Sequence, residues 1–492
     1  MGNASSLLSE AETRHLMRRA GFGATTKELT KLAKRGYTRE KLVDLLLKYK
    51  PKPLKTSNQD GINEVYDRWL DVMLKTKTPL LEKLTIFWHD HFATNISTVE
   101  DTEQMARQNA LLRTMSKGNF RQFLKRINKD PAMMDFLDTV RNRRKTPNEN
   151  YARELMELFT LGVVDEAGVP NYAQEDIVQI ARSLTGWRLD DNGNAVFRED
   201  AHDFNVDFPE RGPKVIFQNR PGFGPNGIDL ITAGEGAPEI DFVIDVLLVH
   251  VDSQGKSTVG RRITRRLFEY FASAAPSTAL VDELLAMSGF ATTWDIAALV
   301  KTILNHDAFY AGAATPPYEP GTKKSVKWPI DYVVSTLRLM NVHPKRRKYE
   351  GLALEDSDSL RAHLDAMGQR LFDPPSVFGW DWEAAWISSA TLLARFRFAC
   401  DLAGNHTKGK QGFHPEKMMP LSLQAPNDIL NAAGNVLGIT DQLSSSDREF
   451  LLAYLTDDGT RPALNLGDPN LRARKLHGLF ALLLQSPAYQ LH

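Results

Sequence analysis

Apolar residues recur at the three-and-four spacing of an α-helix along most of this chain, and the breaks between the runs are short. This periodicity constrains the fold more than any other feature. Leu7, His15, Leu16 and Ala20 open the series, and Leu42, Leu45, Leu46 and Leu47 continue it. From Pro79 to Phe92, a proline in the first turn leads Leu80, Leu81, Leu84, Phe87, Trp88, His91 and Phe92 along one arc, the pattern of a core helix. Further helices are expected at about Thr102 to Met115, Asn119 to Ile127, Pro131 to Leu137, Asn148 to Leu161 and Gln174 to Leu184, parted by Gly, Asn and Pro signals.

After Thr185-Gly186-Trp187 the pattern changes. Trp187-Arg188-Leu189 and Ala195-Val196-Phe197 flank Asp191-Asn192-Gly193-Asn194 and predict a β-hairpin. His202 to Glu239 is rich in Gly and Pro with little periodicity, and loops of this length are commonly functional or disordered. Helical spacing returns at about Ile240 to Val249, Val259 to Phe271, Leu280 to Met287, Trp294 to Leu304, Pro329 to Met340, Ser359 to Leu371, Ser388 to Leu402, Ala425 to Ala433 and Arg472 to Leu484. No fixed-period repeat and no low-complexity linker divides the chain. The expected class is therefore mainly α: a single large multi-helix domain over residues 1–492, with a small β-hairpin excursion and long Gly/Pro-rich loops inserted at 186–239.

Charge narrows the function classes. Lys plus Arg and Asp plus Glu both total 61, so no global field draws the chain to nucleic acid or to an anionic surface. Lys345-Arg346-Arg347-Lys348 is a tight basic run without interleaved aromatics, the pattern of a solvated loop, and nucleic-acid binding is not expected. No apolar stretch approaches the roughly 20 residues of a bilayer span. The one cysteine, Cys400, excludes an internal disulfide; its neighbours Phe396, Phe398, Ala399 and Leu402 predict a packed thiol. Met1-Gly2-Asn3-Ala4-Ser5-Ser6 fits the myristoylation pattern formally, but reads better as a start Met and a Gly joined to a chain whose export signal has been trimmed. Walker, Rossmann and Gly-x-Ser-x-Gly motifs are absent, as is the Cys-x-x-Cys-His haem attachment motif.

The segment Asn148 to Gly162 is the strongest candidate for chemistry. With Glu149 set at 0° on a helical wheel, Arg153, Glu157, Asn150 and Glu154 fall between about 40° and 140°, opposite Tyr151, Leu155, Leu158 and Phe159. Glu154 and Glu157 on one arc can act as general acid and base, or as ligands of a divalent metal, with Arg153 and Asn150 orienting them. A solvated ladder in which Arg153 pairs with both Glu149 and Glu157 accounts for the same residues.

In Phe87-Trp88-His89-Asp90-His91-Phe92, His89 and His91 stand about 200° apart on a helix, so they cannot share one ion; either can assist proton transfer or serve as a hydrogen-bonded core residue. His202, Asp203 and Lys214 can bring a titrating group and a cation to a cleft lip. Trp187 between Arg182 and Arg188 can form a platform for a sugar ring or an anion, or plug the hairpin onto the core.

Taken together, Arg18-Arg19-Ala20-Gly21-Phe22-Gly23, Phe87 to Phe92, Gly118-Asn119-Phe120, Asp130-Pro131-Ala132-Met133, Asn148 to Gly162, Leu184 to Trp187, His202-Asp203, Gln369 to Pro375 and Ser389 to Arg395 give a resemblance spanning nearly the whole chain. It resembles the bacterial family catalogued as domain of unknown function eighteen hundred. The resemblance implies an exported protein, periplasmic or secreted, encoded near sulfatase-like partners, and supplies no reaction. The loop between His202 and Ile240 looks enlarged against the family pattern. The expected function is cleavage of a polysaccharide or related polymer by acid/base or metal-assisted hydrolysis or elimination. The alternative is a non-catalytic helical scaffold that binds a partner protein such as the sulfatase-like neighbour; redox work with a bound metal or haem is a third.

Overall fold

Helices begin where the sequence sets a short polar side chain before an apolar run. Ser9 and Thr25 accept the backbone N–H of Glu12 and Glu28, whose carboxylates return the bond, and Asp130 accepts from Met133 ahead of Pro131. The computed structural model describes residues 7–57, 59–311, 325–343, 360–404 and 412–492. The N-terminal hexapeptide and the basic run at 345–348 lie outside the described residues.

The expected helices are present as Pro79–His91, Thr102–Met115, Phe120–Ile127, Pro131–Phe136, Gln174–Ser183, Glu239–Leu248, Thr258–Phe271, Thr278–Ser288, Ile296–Asn305, Pro329–Leu339, Ser389–Ala403, Pro426–Leu437 and Pro469–Gln485. Thr26–Arg35, Ile62–Lys75 and Ser445–Thr456 add to them. The hairpin pairs Trp187 with Phe197 and Leu189 with Ala195. A second antiparallel pair, Val215–Ile216 with Ile228–Asp229, stands inside the Gly/Pro-rich stretch that the sequence reads as aperiodic. Two-residue strands are too short to show alternation. The chain is thus mainly α, and its buried apolar side chains form one contiguous cluster running from Leu16 to Tyr489.

Pro79–His91 sits at the centre. All of its residues are buried, so it is covered on every side and not along the apolar arc alone. Its three charges are each paired. Glu82 takes both guanidinium nitrogens of Arg113 at 2.6 and 2.8 Å together with the Trp69 indole N–H; Lys83 meets Asp331 at 2.5 Å; and Asp90 meets Arg266 at 3.1 Å. Removing one partner of such a pair leaves a buried charge uncompensated.

Asp90 also clamps the loop that follows Phe372. It accepts the Trp380 N–H at 2.8 Å and the Trp382 indole N–H at 2.9 Å, while the Gly379 backbone, at φ +80°, lies directly against it. Burial pushes the Asp90 carboxyl up to about 6, against the pull of Arg266 and the two N–H donors.

Cys400 corrects the sequence expectation. It is exposed on Ser389–Ala403, whose buried residues are Arg395, Phe398, Ala399, Leu402 and Ala403. On a wheel these fall within about 140° of arc, and Cys400 lies beyond it.

Candidate functional site

The Asn148 to Leu161 segment does not run as one α-helix. Asn150–Glu154 is α-helical, and Leu155–Thr160 is a π-helix. The Leu161 N–H reaches five residues back to the Met156 carbonyl at 2.8 Å, and the Thr160 hydroxyl donates to the Leu155 carbonyl at 2.5 Å. Gly162, at φ +81°, ends the element in the left-handed conformation that glycine tolerates. A helix end leaves its last carbonyls unpaired, and here outside donors take them. Arg262 donates to the Leu158 carbonyl at 3.1 and 3.2 Å, and His91 Nε2 donates to the Phe159 carbonyl at 3.2 Å. The cation of Arg262 also suits the negative end of the helix dipole.

The wide π turn rotates its own residues and those beyond it relative to an α-helix. Arg153, ahead of that turn, pairs with Glu149 at 2.9 Å and with Gln174 at 3.1 Å, and forms no ion pair with Glu157 within it. Glu157 accepts instead from the Tyr172 hydroxyl at 3.4 Å and lies in the field of Arg262. Glu154 is half-buried, and its Oε2 atom has no hydrogen-bond partner. Burial pushes the Glu154 carboxyl above the usual range, the neighbouring Glu157 charge pushes it further, and Arg153 opposes both. The Tyr172 phenol is pushed up to about 12, by burial and by the same Glu157 charge. Asn150 is exposed, 3.4 Å from Asp138.

This half-open face, against Gln174–Ser183 and Thr258–Phe271, brings together Glu149, Asn150, Arg153, Glu154, Glu157, Tyr172, Gln174 and Arg262. Cavities elsewhere among the described residues, such as those beside Arg18, Met340, Asp101 and Leu29, are lined by other residues. Among the described residues, no group of three His, Cys, Asp or Glu side chains is placed to hold a metal, the Glu154 and Glu157 pair included.

The two histidines face different elements, as their angular separation requires. His89 Nε2 accepts the Phe372 N–H at 3.0 Å, and its ring lies among Trp69, Phe372 and Trp380. His91 packs on Phe87, Trp88 and Phe92. Burial holds His89 down to about 3 and His91 well below its ordinary value, so both rings are neutral near pH 7. His91 reaches the acid/base face through Phe159, to whose carbonyl it donates and whose ring centroid lies 6.2 Å from its own.

The remaining candidates lie inside the protein instead of at a cleft lip. His202, Asp203, Lys214 and a residue that the sequence reading passes over, Glu239, are all fully buried. Lys214 Nζ stands 2.9 Å from both Glu239 oxygens, His202 Nε2 stands 2.8 Å from Glu239 Oε1, and the Gly236 N–H donates to that oxygen at 2.8 Å. Arg182 bonds Asp203 at 3.1 Å and the Gln179 side chain at 2.7 Å, and Arg211 joins Asp203 at 2.7 Å. Trp187 is buried with Phe197 at one face and the Lys129 ammonium 5.1 Å above its ring. These residues fasten the insertion to the helical body. Trp187 and Arg182 offer no open ring platform.

No helix among the described residues is long and apolar enough to cross a membrane. A family model described as "Protein of unknown function (DUF1800)" matches residues 15–491. No curated protein and no solved structure matches the chain.

Proposed function

We propose, for a chain that belongs to the DUF1800 family, an exported bacterial enzyme that cleaves a polysaccharide or related polymer by acid/base hydrolysis or elimination. One observation carries the reading. Two neighbouring carboxylates stand in different environments: Glu154 keeps an unpartnered oxygen and is pushed toward its protonated form, while Glu157 faces the Tyr172 hydroxyl and the Arg262 cation. A carboxyl raised by its surroundings beside a second carboxylate is how one site can hold an acid and a base at one pH.

In hydrolysis, Glu154 gives its proton to the glycosidic oxygen as the C–O bond breaks, and Glu157 takes a proton from the attacking water. In elimination, Glu157 takes the carbon-bound proton and Glu154 protonates the leaving oxygen. Asn150, Arg153 and Gln174 border the face with amide and guanidinium groups suited to sugar hydroxyls. The half-open rim suits a long polymer. His91 and Arg262 act as positioning residues by holding the Leu158 and Phe159 carbonyls of the π turn.

The test is turnover on a panel of neutral and acidic polysaccharides, read as new chain ends. Glu154→Gln and Glu157→Gln are expected to keep the fold and lose about 100-fold or more in rate. Full turnover by either variant, or no cleavage of any polymer by the parent chain, overturns the proposal.

A second reading, a scaffold for a partner protein such as a sulfatase-like neighbour, draws on Val163, Val164 and Val169. These three apolar side chains are exposed on the turn after the π-helix. Val164→Lys separates the two: an enzyme keeps its turnover, and a scaffold loses its partner.

A further inference from the structure

Asn-Gly is the dipeptide in which a side-chain amide and the next backbone N–H meet with least hindrance, because the second residue has no side chain. The chain has two, Asn192-Gly193 and Asn226-Gly227, and both lie in the Gly/Pro-rich insertion. Both asparagines are exposed, and both glycines take a left-handed backbone, at φ +67° and +62°. The first dipeptide turns the chain between Trp187–Leu189 and Ala195–Phe197, and the second leads into Ile228–Asp229, which pairs with Val215–Ile216.

The two turns hold that N–H differently. The Gly193 N–H donates to the Asp190 carbonyl at 2.9 Å, and Asp190 Oδ1 accepts the Asn192 and Asn194 N–H groups at 2.9 and 2.8 Å. Arg107 adds a guanidinium bond to the Asn192 carbonyl at 3.2 Å. The Asn192-Gly193 peptide is therefore tied through both its N–H and its carbonyl. Asn226-Gly227 is not. The Leu230 N–H donates to the Lys214 carbonyl at 2.9 Å, and antiparallel pairs bond on alternate residues, so Gly227, an odd number of positions earlier, turns its N–H off the ladder. Neither the Asn226 side chain nor the Gly227 N–H has a hydrogen-bond partner among the described residues.

We propose that Asn226 is a site of spontaneous deamidation and isoaspartate formation, and that its counterpart Asn192 is protected. The Gly227 nitrogen attacks the amide carbon of the Asn226 side chain, and its proton passes to the departing group. The bond from that carbon to the amide nitrogen breaks, ammonia leaves, and a cyclic imide remains. Water then opens one or the other imide carbonyl, giving an aspartate or an isoaspartate at this position, so water is the only co-reactant. The isoaspartate lengthens the main chain by one methylene. The turn has no room for it: a Cβ built on Gly227 would run into the Ile216 carbonyl oxygen and stand 2.9 Å from the Val215 side chain. The lengthened turn therefore releases the Ile216–Ile228 pair, and with it the Phe217 N–H bond to Asp176 at 2.7 Å that fastens the insertion to Gln174–Ser183.

The test is incubation of the full chain in mildly alkaline buffer, followed by peptide mapping by mass spectrometry and enzymatic methylation of isoaspartate. Conversion at Asn226 is expected to run at least about fivefold faster than at Asn192, the factor set by one hydrogen bond held at the Gly193 nitrogen. Asp190→Ala loosens the protected turn and is expected to raise the Asn192 rate toward that of Asn226. Asn226→Gln, at an exposed position, is expected to keep the fold and to stop conversion there. Converted chains are expected to be cut faster by chymotrypsin after Phe217, which is buried in the intact protein. Conversion of Asn192 as fast as Asn226, no conversion at either, or an Asn192 rate unmoved by Asp190→Ala overturns the proposal. Unchanged cleavage of converted chains overturns the loosening of the insertion.

Discussion

Removing the Glu239 carboxylate is the sharpest perturbation of the interior. In Glu239→Ala the Lys214 ammonium loses two bonds of 2.9 Å, the His202 ring loses one of 2.8 Å and the Gly236 N–H loses its acceptor, all in full burial. Burial pushes this carboxyl up, yet the His202 bond and the Lys214 charge leave it below its ordinary value, so the partners outweigh the burial. Stranding one member of a buried pair costs about 3–5 kcal/mol. At ~2.1 cal/mol/K of unfolding entropy per residue, a chain of 492 residues that unfolds as one unit loses roughly 1 °C in Tm per kcal/mol, so a fall of about 3–5 °C is expected. The assay is calorimetric melting with matched urea denaturation. The double variant Lys214→Met with Glu239→Gln removes both charges and keeps an acceptor for Gly236, so it is expected to fall by less than half as much. A drop below about 1 °C in Glu239→Ala, or a larger drop in the double variant, refutes the reasoning.

Gly379→Ala places a methyl group 2.6 Å from the Asp90 carbonyl oxygen and closer still to its Oδ1, at φ +80°. A destabilisation of about 2–5 kcal/mol is expected by urea denaturation, together with faster proteolysis of the loop after Phe372. Burial raises the Asp130 carboxyl to about 7, against the lowering bonds from the Met133 N–H and the Gln108 side chain. A raised carboxyl contributes stability that is fully present below its unfolded value and is lost as pH rises through its folded value. Wild-type stability is therefore expected to fall relative to Asp130→Asn by up to about 1.4 kcal/mol per pH unit between pH 5 and 7, then to level off, as read by urea midpoints at each pH. A difference that does not change with pH contradicts that assignment.

Much of the architecture is legible because burial imposes a period on the residues. Pro79–His91 and Thr102–Met115 are found where the apolar spacing and caps set them, and the Asp-Asn-Gly-Asn turn marks the hairpin. The polar arc carrying Glu154 and Glu157 is legible for the same reason. Its π turn is not, since that turn depends on Arg262 and His91 arriving from distant segments to take two carbonyls. Glu239 escapes a sequence reading because its partners His202 and Lys214 lie 37 and 25 residues away, across a stretch without periodicity. A Glu at the start of a helix, just after Pro238, reads as an ordinary first-turn acid. The Cys400 expectation fails because it weighs sequence neighbours over helical angle: Phe398, Ala399 and Leu402 point one way and Cys400 another.

The proposed chemistry turns on Glu154 binding a proton more readily than an ordinary glutamate because of its burial and the neighbouring Glu157. The direct measurement is a carbon-13 NMR pH titration of the Glu154 side-chain carboxyl in the parent chain and in Glu157→Gln. The expected result is a midpoint above the ordinary glutamate value of about 4.3 and a fall toward that value once the Glu157 charge is removed. A midpoint at or below the ordinary value in the parent chain, unmoved by Glu157→Gln, contradicts it.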